Sequence, residues 1–339
     1  MHSLRRATVL ALAAAWLAAS STPRGQQEPP RPGLAVIIVV DQMRADYVDH
    51  FRGQWTGGLK RLATEGAWFS RAAYPYLTTV TCAGHATVGT GAFPHTHGIF
   101  QNAWYDRERS AAVACADDAQ AAVVRYGEAG AAGATSGSDS AARLLLPTFA
   151  DEMRARRSAR VVTMSIKQRS AIMLAGHGGD AVTWLSDSLD GWETSSAYAS
   201  KPVDAVQAFV AANPIAADYG KTWTRLLPDA QYQQPDDGLA EAPPQGWTRT
   251  FPHELTSPSG RADAAFYDHW QDSPYADAYL GRFAAAMVES MQLGKHEGTD
   301  VLGIGFTSPD SVGHAYGPRS QEVQDMYAHL DRTMGTLFE

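Results

Sequence analysis

Cysteine is scarce in this chain, where Cys82 and Cys115 are the only two among 339 residues. A chain of this length can bury a large hydrophobic core, so a framework of several disulfides is neither available nor needed. The two cysteines either form one bridge in an oxidising compartment or remain separate buried thiols. The sequence leaves both possibilities open.

Positive charge is also in short supply. The chain has 28 Lys and Arg residues against 36 Asp and Glu residues, which gives a formal net charge of −8. This balance argues against a nucleic-acid scaffold or an anionic membrane as the partner, because both attract basic surfaces. An anionic substrate would therefore need a locally positive site.

Long apolar runs are absent after the N-terminus, so no transmembrane segment is expected in the mature chain. Residues 1–21 combine Arg5 and Arg6 with a short apolar run and small residues, which predicts a secretory signal peptide. A twin-arginine signal is an alternative that the surrounding residues fit poorly. Residues 22–32 contain Pro, Gln and Gly and are interpreted as a flexible tether. We therefore expect a periplasmic or secreted protein with one folded domain at 33–339.

β-Branched runs alternate with helical patterns, which predicts a doubly wound α/β fold with a mostly parallel sheet and helices on both faces. Strands are predicted at Leu34–Val40 (covered on both faces), Arg160–Ile166, Ala181–Leu185 (in a hairpin with Gly191 and Trp192) and Asp300–Thr307. Helices are predicted at Gly57–Gly66, Asp139–Arg157 (kinked at Pro147), Tyr275–Leu293 and Glu322–Phe338. Residues 107–137 are interpreted as irregular surface, and residues 218–274 as an irregular inserted cap over the site.

A reactive hydroxyl is predicted within the stretch from Tyr74 to Asn102, where Thr81 begins a helix rich in glycine and alanine. Helix N-termini carry unpaired N–H groups and partial positive charge, which suit an incoming anion and a developing alkoxide. Thr81 is therefore the candidate nucleophile, and the alternative is that it only caps the helix. The amide of Asn102 returns to this region and can donate to an oxygen of the substrate.

Charged residues follow two of the predicted strands. Asp41 ends the first strand, and Lys167 and Arg169 come directly after the strand at Arg160–Ile166. In open α/β sheets ligands bind beyond the carboxyl ends of strands, so Asp41 is placed to hold a metal or a substrate. Residues i and i+2 of an extended segment point the same way, so Lys167 and Arg169 can face one anion. The alternatives are a loop-capping aspartate and two solvated cations.

Asp310 and His314 follow the last predicted strand. A spacing of four residues places a carboxylate and an imidazole on the same side of a helical turn, which is a usual way to present oxygen and nitrogen ligands to zinc. The pair is common by chance, but its position beyond a strand supports a metal site.

Several motifs together resemble the alkaline phosphatase superfamily, most closely the phosphate-irrepressible bacterial enzymes of the PafA type. They are VVDQMRADY, TTVTCAGH, GIFQNAWYD, SIKQRSAIMLAGH and SPDSVGHAYG, and the resemblance runs from about Leu34 to Glu339. It implies hydrolysis of small phosphate monoesters through a phosphothreonine intermediate, with two zinc ions as cofactors. The implied catalytic residues are Thr81, Asn102, Lys167 and Arg169. The implied zinc ligands are Asp41, Thr81, Asp310 and His314.

Three rival interpretations remain. Cys82 can suggest a sulfatase, but Gly84 and Ala86 break the Cys-x-Pro/Ala-x-Arg motif of that class. A nucleotide pyrophosphatase/phosphodiesterase shares the Asp, Thr, Asn and metal pattern. A phosphodiester, however, has one negatively charged oxygen fewer than a monoester, and its second substituent needs the space where Lys167 and Arg169 would lie. A non-catalytic binding protein on a phosphatase fold is the third alternative.

The resemblance also implies more metal ligands than Asp41, Asp310 and His314. The chain stops inside a predicted helix, at Glu339. We therefore expect that the chain is a fragment and that the remaining zinc ligands follow residue 339.

Overall fold

Runs of β-branched and other apolar residues form the strands of this fold. The computed structural model describes residues 31–127, 136–186 and 191–339, so the predicted signal peptide and nearly all of the predicted tether lie outside the described residues. The strands are β1 (Leu34–Val40), β2 (Ala103–Asp106), β3 (Ala111–Ala114), β4 (Asp117–Arg125), β5 (Ser136–Asp139), β6 (Val161–Ser165), β7 (Ala181–Leu185), β8 (Trp192–Ser195), β9 (Thr222–Trp223), β10 (His253–Glu254) and β11 (Asp300–Phe306).

The main sheet has the strand order β1, β11, β6, β7, β8, β4, β5. The first four strands of this order run parallel, and the pairs from β7 to β5 are antiparallel. The predictions of a mostly parallel sheet and of a hairpin after β7 are confirmed. β1 lies at the sheet edge among the described residues and Val36 is 45% exposed, so the expectation that this strand is covered on both faces is wrong.

Helices pack on both faces of the main sheet, as expected for a doubly wound α/β fold. They are α1 (Ala45–Phe51), α2 (Gly58–Glu65), α3 (Thr81–Thr90), α4 (Pro94–His97), α5 (Phe149–Arg157), α6 (Gln168–Ala175), α7 (Asp204–Ala212), α8 (Ala264–Gln271), α9 (Pro274–Ser290), α10 (Ser308–Tyr316) and α11 (Gln321–Leu337). Leu185 of β7 packs in one core cluster with α9 and α11, whereas Trp184 packs in a second cluster with α3 and α6. Within the described part of the chain, no helix combines the length and apolar character needed to cross a membrane.

Two glycines of β11 let α6 lie directly on the sheet. A Cβ atom at Gly303 would lie 3.3 Å from Cβ of Leu174, and one at Gly305 would lie 3.1 Å from Cβ of Ser170. Both distances are shorter than ordinary contacts between carbon atoms, so a side chain at either glycine would push α6 outward.

Most of the locally patterned elements are confirmed. The predicted helices at Gly57–Gly66, Tyr275–Leu293 and Glu322–Phe338 correspond to α2, α9 and α11. Pro274 occupies the first turn of α9, where its missing N–H costs nothing. The side chain of Ser320 accepts a hydrogen bond from the backbone N–H of Val323 and so caps α11.

The interpretation of residues 107–137 as irregular surface is wrong for the part of this range that the structure describes, and residues 128–135 lie outside the described residues. This segment contains β3 and β4, and Val113, Ala121 and Tyr126 are buried. Its many alanines give little strand propensity, so pairing with β2, β5 and β8 decides its structure.

The predicted helix at Asp139–Arg157 is wrong in its first half. Asp139 ends β5, and the helix begins only at Phe149. Thr148 and Asp151 form a reciprocal capping box, which fixes the start of α5. Pro147 disfavours helical backbone in the residue before it, so the apolar run ahead of Pro147 does not join the helix.

Residues 218–274 are mostly irregular, as expected, and their regular elements are the short strands β9 and β10 and the helix α8 near the end. Their large apolar side chains Trp223, Trp247, Phe266 and Trp270 belong to the same core cluster as the main sheet. The segment is therefore packed on the domain through buried aromatic side chains, which its loop-like composition did not indicate.

Candidate active site

Charged side chains meet where three neighbouring parallel strands end. Asp41 follows β1, Lys167 follows β6, and Asp310 lies on α10 just after β11. The backbone N–H of Asp41 donates to the carbonyl of Phe306 at 2.9 Å, which continues the ladder between β1 and β11 by one residue. The sheet register therefore brings together three residues that are more than a hundred positions apart in the chain.

Thr81 is the first helical residue of α3 rather than its cap. The cap position is Val80, which makes no side-chain capping hydrogen bond. The hydroxyl of Thr81 instead donates to Oδ2 of Asp41 at 3.3 Å. Its position at the helix N-terminus and its contact with a carboxylate favour a reactive hydroxyl over the capping alternative.

Lys167 lies between the carboxylates of Asp41 and Asp310. Its Nζ is 3.0 Å from Oδ2 of Asp41 and forms a second, closer ion pair with Oδ2 of Asp310. All three side chains are largely buried, so this pairing is less screened by water than a surface ion pair. The single positive charge of the ammonium thus offsets part of the negative charge of two largely buried carboxylates.

The argument that Lys167 and Arg169 share one direction in an extended segment is wrong. Lys167 is extended, but the helix α6 begins at Gln168, which places Arg169 in its first turn. The guanidinium Nε of Arg169 is buried and makes no hydrogen bond within the described residues. The structure therefore places Arg169 beside the site without showing the two cations on one anion.

His85 is a buried residue of the site that the sequence argument did not select. It lies one turn after Thr81, and its Nδ1 donates to the Thr81 carbonyl oxygen at 2.8 Å. Burial lowers the pKa of His85, the charge of Asp41 opposes this effect, and Lys167 and Arg169 add to it. The imidazole supports the first turn of α3, and its spacing of four residues from Thr81 was the available signal.

Asn102 contacts the residue next to the candidate nucleophile. Its side-chain Oδ1 accepts a hydrogen bond from the backbone N–H of Cys82 at 2.9 Å. Its backbone carbonyl accepts from the N–H of Cys115, also at 2.9 Å. Cys82 and Cys115 form a disulfide, which resolves the alternative that the sequence left open.

Asp310 and His314 lie one turn apart on α10, as their spacing predicts. Nε2 of His314 is 3.3 Å from Oδ1 of Asp310, and the imidazole is 72% exposed. Asp310 thus contacts Lys167 through one oxygen and His314 through the other.

Asp41 and Asp310 converge on a single cation, the Lys167 ammonium. The Asp41 and Asp310 carboxylates and the His314 imidazole are donor types that zinc uses. The donor set therefore fits a metal. Across residues 31–127, 136–186 and 191–339, however, no three His, Cys, Asp or Glu side chains are grouped so that they could hold a metal ion.

A cavity of about 750 Å³ adjoins His314. Its walls come from α8, from α10 and from part of the segment 218–274, including Asp268, Asp272 and Ser311. Burial raises the pKa of Asp272 to about 7, and the charge of Asp268 adds to this effect. The segment 218–274 thus borders one side of the site, while its role as a cap stays a prediction.

The arrangement of sheet, helix N-terminus and charged edge corresponds to a known family. The chain belongs to the type I phosphodiesterase/nucleotide pyrophosphatase family, whose model matches residues 35–339. Among curated proteins, the chain is 34% identical to the alkaline phosphatase PhoK of Sphingomonas sp over 319 residues, 91% of this chain and 52% of PhoK. It is 31% identical to the alkaline phosphatase PafA of Elizabethkingia meningoseptica over 320 residues, 91% of this chain and 56% of PafA. The chain spans about half the length of these relatives.

The fold is also similar to that of PafA in a crystal structure. A PafA variant with one threonine, one asparagine, one lysine and one arginine replaced matches at a TM-score of 0.82 and 30% identity, covering 91% of this chain and 60% of the PafA chain. The replaced threonine and asparagine are 21 positions apart and the lysine and arginine are 2 apart. Thr81 and Asn102, and Lys167 and Arg169, have the same spacings.

Proposed function

We propose that the protein is an exported, zinc-dependent alkaline phosphatase that hydrolyses small phosphate monoesters through a phosphothreonine intermediate. The observation that carries this proposal is the Thr81 hydroxyl at a helix N-terminus, in contact with Asp41 and next to the Lys167 ammonium. A nucleophile, an anion-binding helix end and cationic groups then meet at one edge of the sheet. The similarity to PhoK and PafA supports the same activity.

Thr81 would act as the nucleophile. Its Oγ attacks phosphorus, an O–P bond forms on the threonine, and the bond to the alcohol oxygen breaks on the opposite side. A water molecule then attacks the phosphothreonine and releases inorganic phosphate. Zinc, when bound by Asp41, Asp310 and His314, would supply Lewis-acid charge that favours the Thr81 alkoxide and the leaving oxygen.

The nonbridging oxygens of the phosphoryl group need donors from the protein. Because Oδ1 of Asn102 accepts from Cys82, the NH2 end of the amide is left to donate to such an oxygen. A cation bound by Asp41 and Asp310 would compete with Lys167 for these carboxylates and leave its ammonium to bind the substrate. Arg169, in the first turn of α6, provides a second cation with a forked set of donors.

Phosphodiester hydrolysis is the rival activity, and the family model that matches this chain is named for it. A diester carries one charge fewer on phosphorus, and its second substituent needs the space next to Lys167 and Arg169. The two cations therefore favour monoesters. Comparing kcat/KM for an aryl phosphate and its methyl diester with the full-length protein tests this choice, and a preference for the diester would reverse the assignment.

The nucleophile can be identified by trapping the intermediate. Thr81→Ala should abolish phosphoenzyme formation in acid-quenched protein examined by mass spectrometry, and lower turnover by about a thousandfold or more. Thr79→Ala is a matched control, because this nearby threonine is exposed and lies outside α3. A phosphoryl group found on Thr79, or retained in Thr81→Ala, would refute the role of Thr81. A folded, full-length protein that hydrolyses neither ester would favour the non-catalytic alternative.

Export is proposed from residues 1–21 alone, whose pattern predicts a signal peptide. Fractionation of cells that express the full-length protein would place it in the periplasm, in the medium or, against this proposal, in the cytoplasm.

The acidic composition, with a net charge of −8, favours small substrates over a nucleic-acid scaffold.

A further inference from the structure

The disulfide between Cys82 and Cys115 encloses Asn102. The bridge closes a loop across 33 positions of the chain, and its two Cα atoms are 6.6 Å apart. Asn102 lies inside this loop, just before β2, and hydrogen bonds with both half-cystines. One half-cystine is Cys82, the residue directly after Thr81.

The two hydrogen bonds fix different parts of Asn102. The N–H of Cys115 holds its backbone carbonyl and extends the ladder between β2 and β3 by one pair. The N–H of Cys82 holds Oδ1 and so determines which end of the amide faces away from the helix. With Oδ1 occupied, a flip of the amide would bring its NH2 group against the N–H donor of Cys82. The contact therefore selects one orientation.

The bridge also sets the position of this amide relative to the nucleophile. Cys82 and Cys115 are completely buried in the core cluster that contains Ala86 of α3 and Ile99. The sulfur atoms thus join the first turn of the nucleophile helix to the β2–β3 hairpin through the protein interior. No other covalent cross-link is present among the described residues.

We propose that the Cys82–Cys115 disulfide is a positioning device for catalysis, which holds the Asn102 amide at a fixed place and orientation beside the Thr81 hydroxyl. This inference rests on the proposed function. It assigns the bridge a role beyond stability, because its loss should free Asn102 to move relative to the reacting phosphoryl group. The oxidised protein should then be the fully active form, in keeping with an exported location.

A double-mutant cycle in the full-length protein separates positioning from simple stabilisation. Replacing both cysteines, as Cys82→Ala with Cys115→Ala, should lower kcat/KM for an aryl phosphate by about 10- to 100-fold, mainly through kcat. In an Asn102→Ala background the same pair of changes should cost less than about threefold, because the amide that the bridge positions is gone. The inhibition constant of inorganic phosphate should follow the same non-additive pattern. Equal losses in both backgrounds, or no loss with Asn102 present, would overturn the inference.

Reduction of the wild-type protein covers the case in which the cysteine-free variant does not fold. Because the bridge is buried, the protein is reduced in urea and refolded with a phosphine reductant and zinc present. This form should contain two thiols, have a lower kcat and an unchanged far-ultraviolet circular dichroism, and reoxidation should restore kcat. The Asn102→Ala protein, treated in the same way, controls for any zinc that the reductant removes and should lose little activity. An unchanged kcat after complete reduction, or an equal fall in both proteins, would also overturn the inference. Wild-type protein that hydrolyses monoesters while showing either result retains the proposed function and loses only the role of the bridge.

Discussion

Two groups of buried acidic side chains in this chain differ in what offsets their negative charge, which is an ammonium group in one and a bound proton in the other. At the candidate site, Asp41 and Asp310 share the Lys167 ammonium. Next to the segment 218–274, Glu322 lies 3.1 Å from His253, and both side chains are fully buried. Burial raises the pKa of Glu322 to about 8 and lowers that of His253 to about 4, so both are uncharged near neutral pH.

The difference separates a functional arrangement from a structural one. Carboxylates that pair with a cation can exchange that cation for another, which is what a metal site requires. Carboxyl groups balanced by a bound proton can remain buried without a cation, and their main contribution is to packing and hydrogen bonding. We therefore expect substitutions in the first group to alter activity and substitutions in the second to alter stability.

The largest effect on activity should come from removing the charge of Asp41, one of the two carboxylates that pair with Lys167. Asp41→Asn in the full-length protein should lower monoesterase turnover by about 100-fold or more and reduce the amount of zinc bound, because it removes a carboxylate that we propose as a zinc ligand and that also contacts Thr81. Glu241→Gln is the matched control, since it neutralises a buried carboxyl whose pKa burial already raises to about 7. Elemental analysis of zinc together with steady-state kinetics would check both. Similar losses in the two variants would mean that the distinction between the groups is false.

The next effect concerns the cations. Lys167→Ala combined with Arg169→Ala should damage hydrolysis of the aryl phosphate much more than that of its methyl diester, because each charge-assisted contact to the extra charge contributes about 1.5 to 3 kcal/mol. Lys221→Ala is the control, since Lys221 also pairs with an aspartate, Asp218, but lies in the segment 218–274. Ratios of kcat/KM for the two esters decide the outcome. An unchanged ratio would contradict the role of the two cations in monoester selection.

The substitution Glu322→Gln should have the smallest effect on activity but a clear effect on the free energy of unfolding. The folded-state pKa of Glu322, about 8, lies above its ordinary value of 4.5. The unfolded chain therefore loses this proton at lower pH than the folded chain, so the stabilising contribution is full below pH 4.5 and is lost as pH rises to 8. The amide in Glu322→Gln does not ionise, so this variant should become more stable relative to the parent as pH rises from 5 to 8. The full gain in the free energy of unfolding is about 1.4 kcal/mol for each unit by which the pKa of Glu322 differs between the folded and unfolded chains.

Urea denaturation of both proteins at the two pH values would measure this gain. Glu254→Gln, on the exposed side of β10, provides a control that should show no such trend. A stability difference between Glu322→Gln and its parent that does not change with pH would show that Glu322 is ionised in the folded protein.

The sequence predicted those features that short-range patterns determine. β1 and β11 are continuous apolar runs, and the spacing of Asp310 and His314 needs only one helical turn. The family motifs singled out Thr81 and Asn102 before any geometry was known. Such signals do not depend on the rest of the chain.

The remaining features depend on contacts between distant segments. The alanine-rich β4 is a strand because β5 and β8 pair with it, and its own residues give little indication of this. The ion pairs of Lys167 with Asp41 and Asp310 require the strand order of the sheet, which no local pattern contains. The same is true of the choice between a bridge and two separate thiols at Cys82 and Cys115.

The close approach of α6 to β11 helps to set the position of the first turn of α6, which carries Arg169. Gly303 and Gly305 touch no candidate ligand, yet they determine how deep the helix that begins after Lys167 lies on the sheet. A methyl group at Gly305 would meet Oγ of Ser165 on β6 and Cβ of Ser170 on α6, so the neighbouring strand, the helix or both would have to shift. A substitution at this glycine could thus change the position of the first turn of α6 while leaving every charged side chain in place.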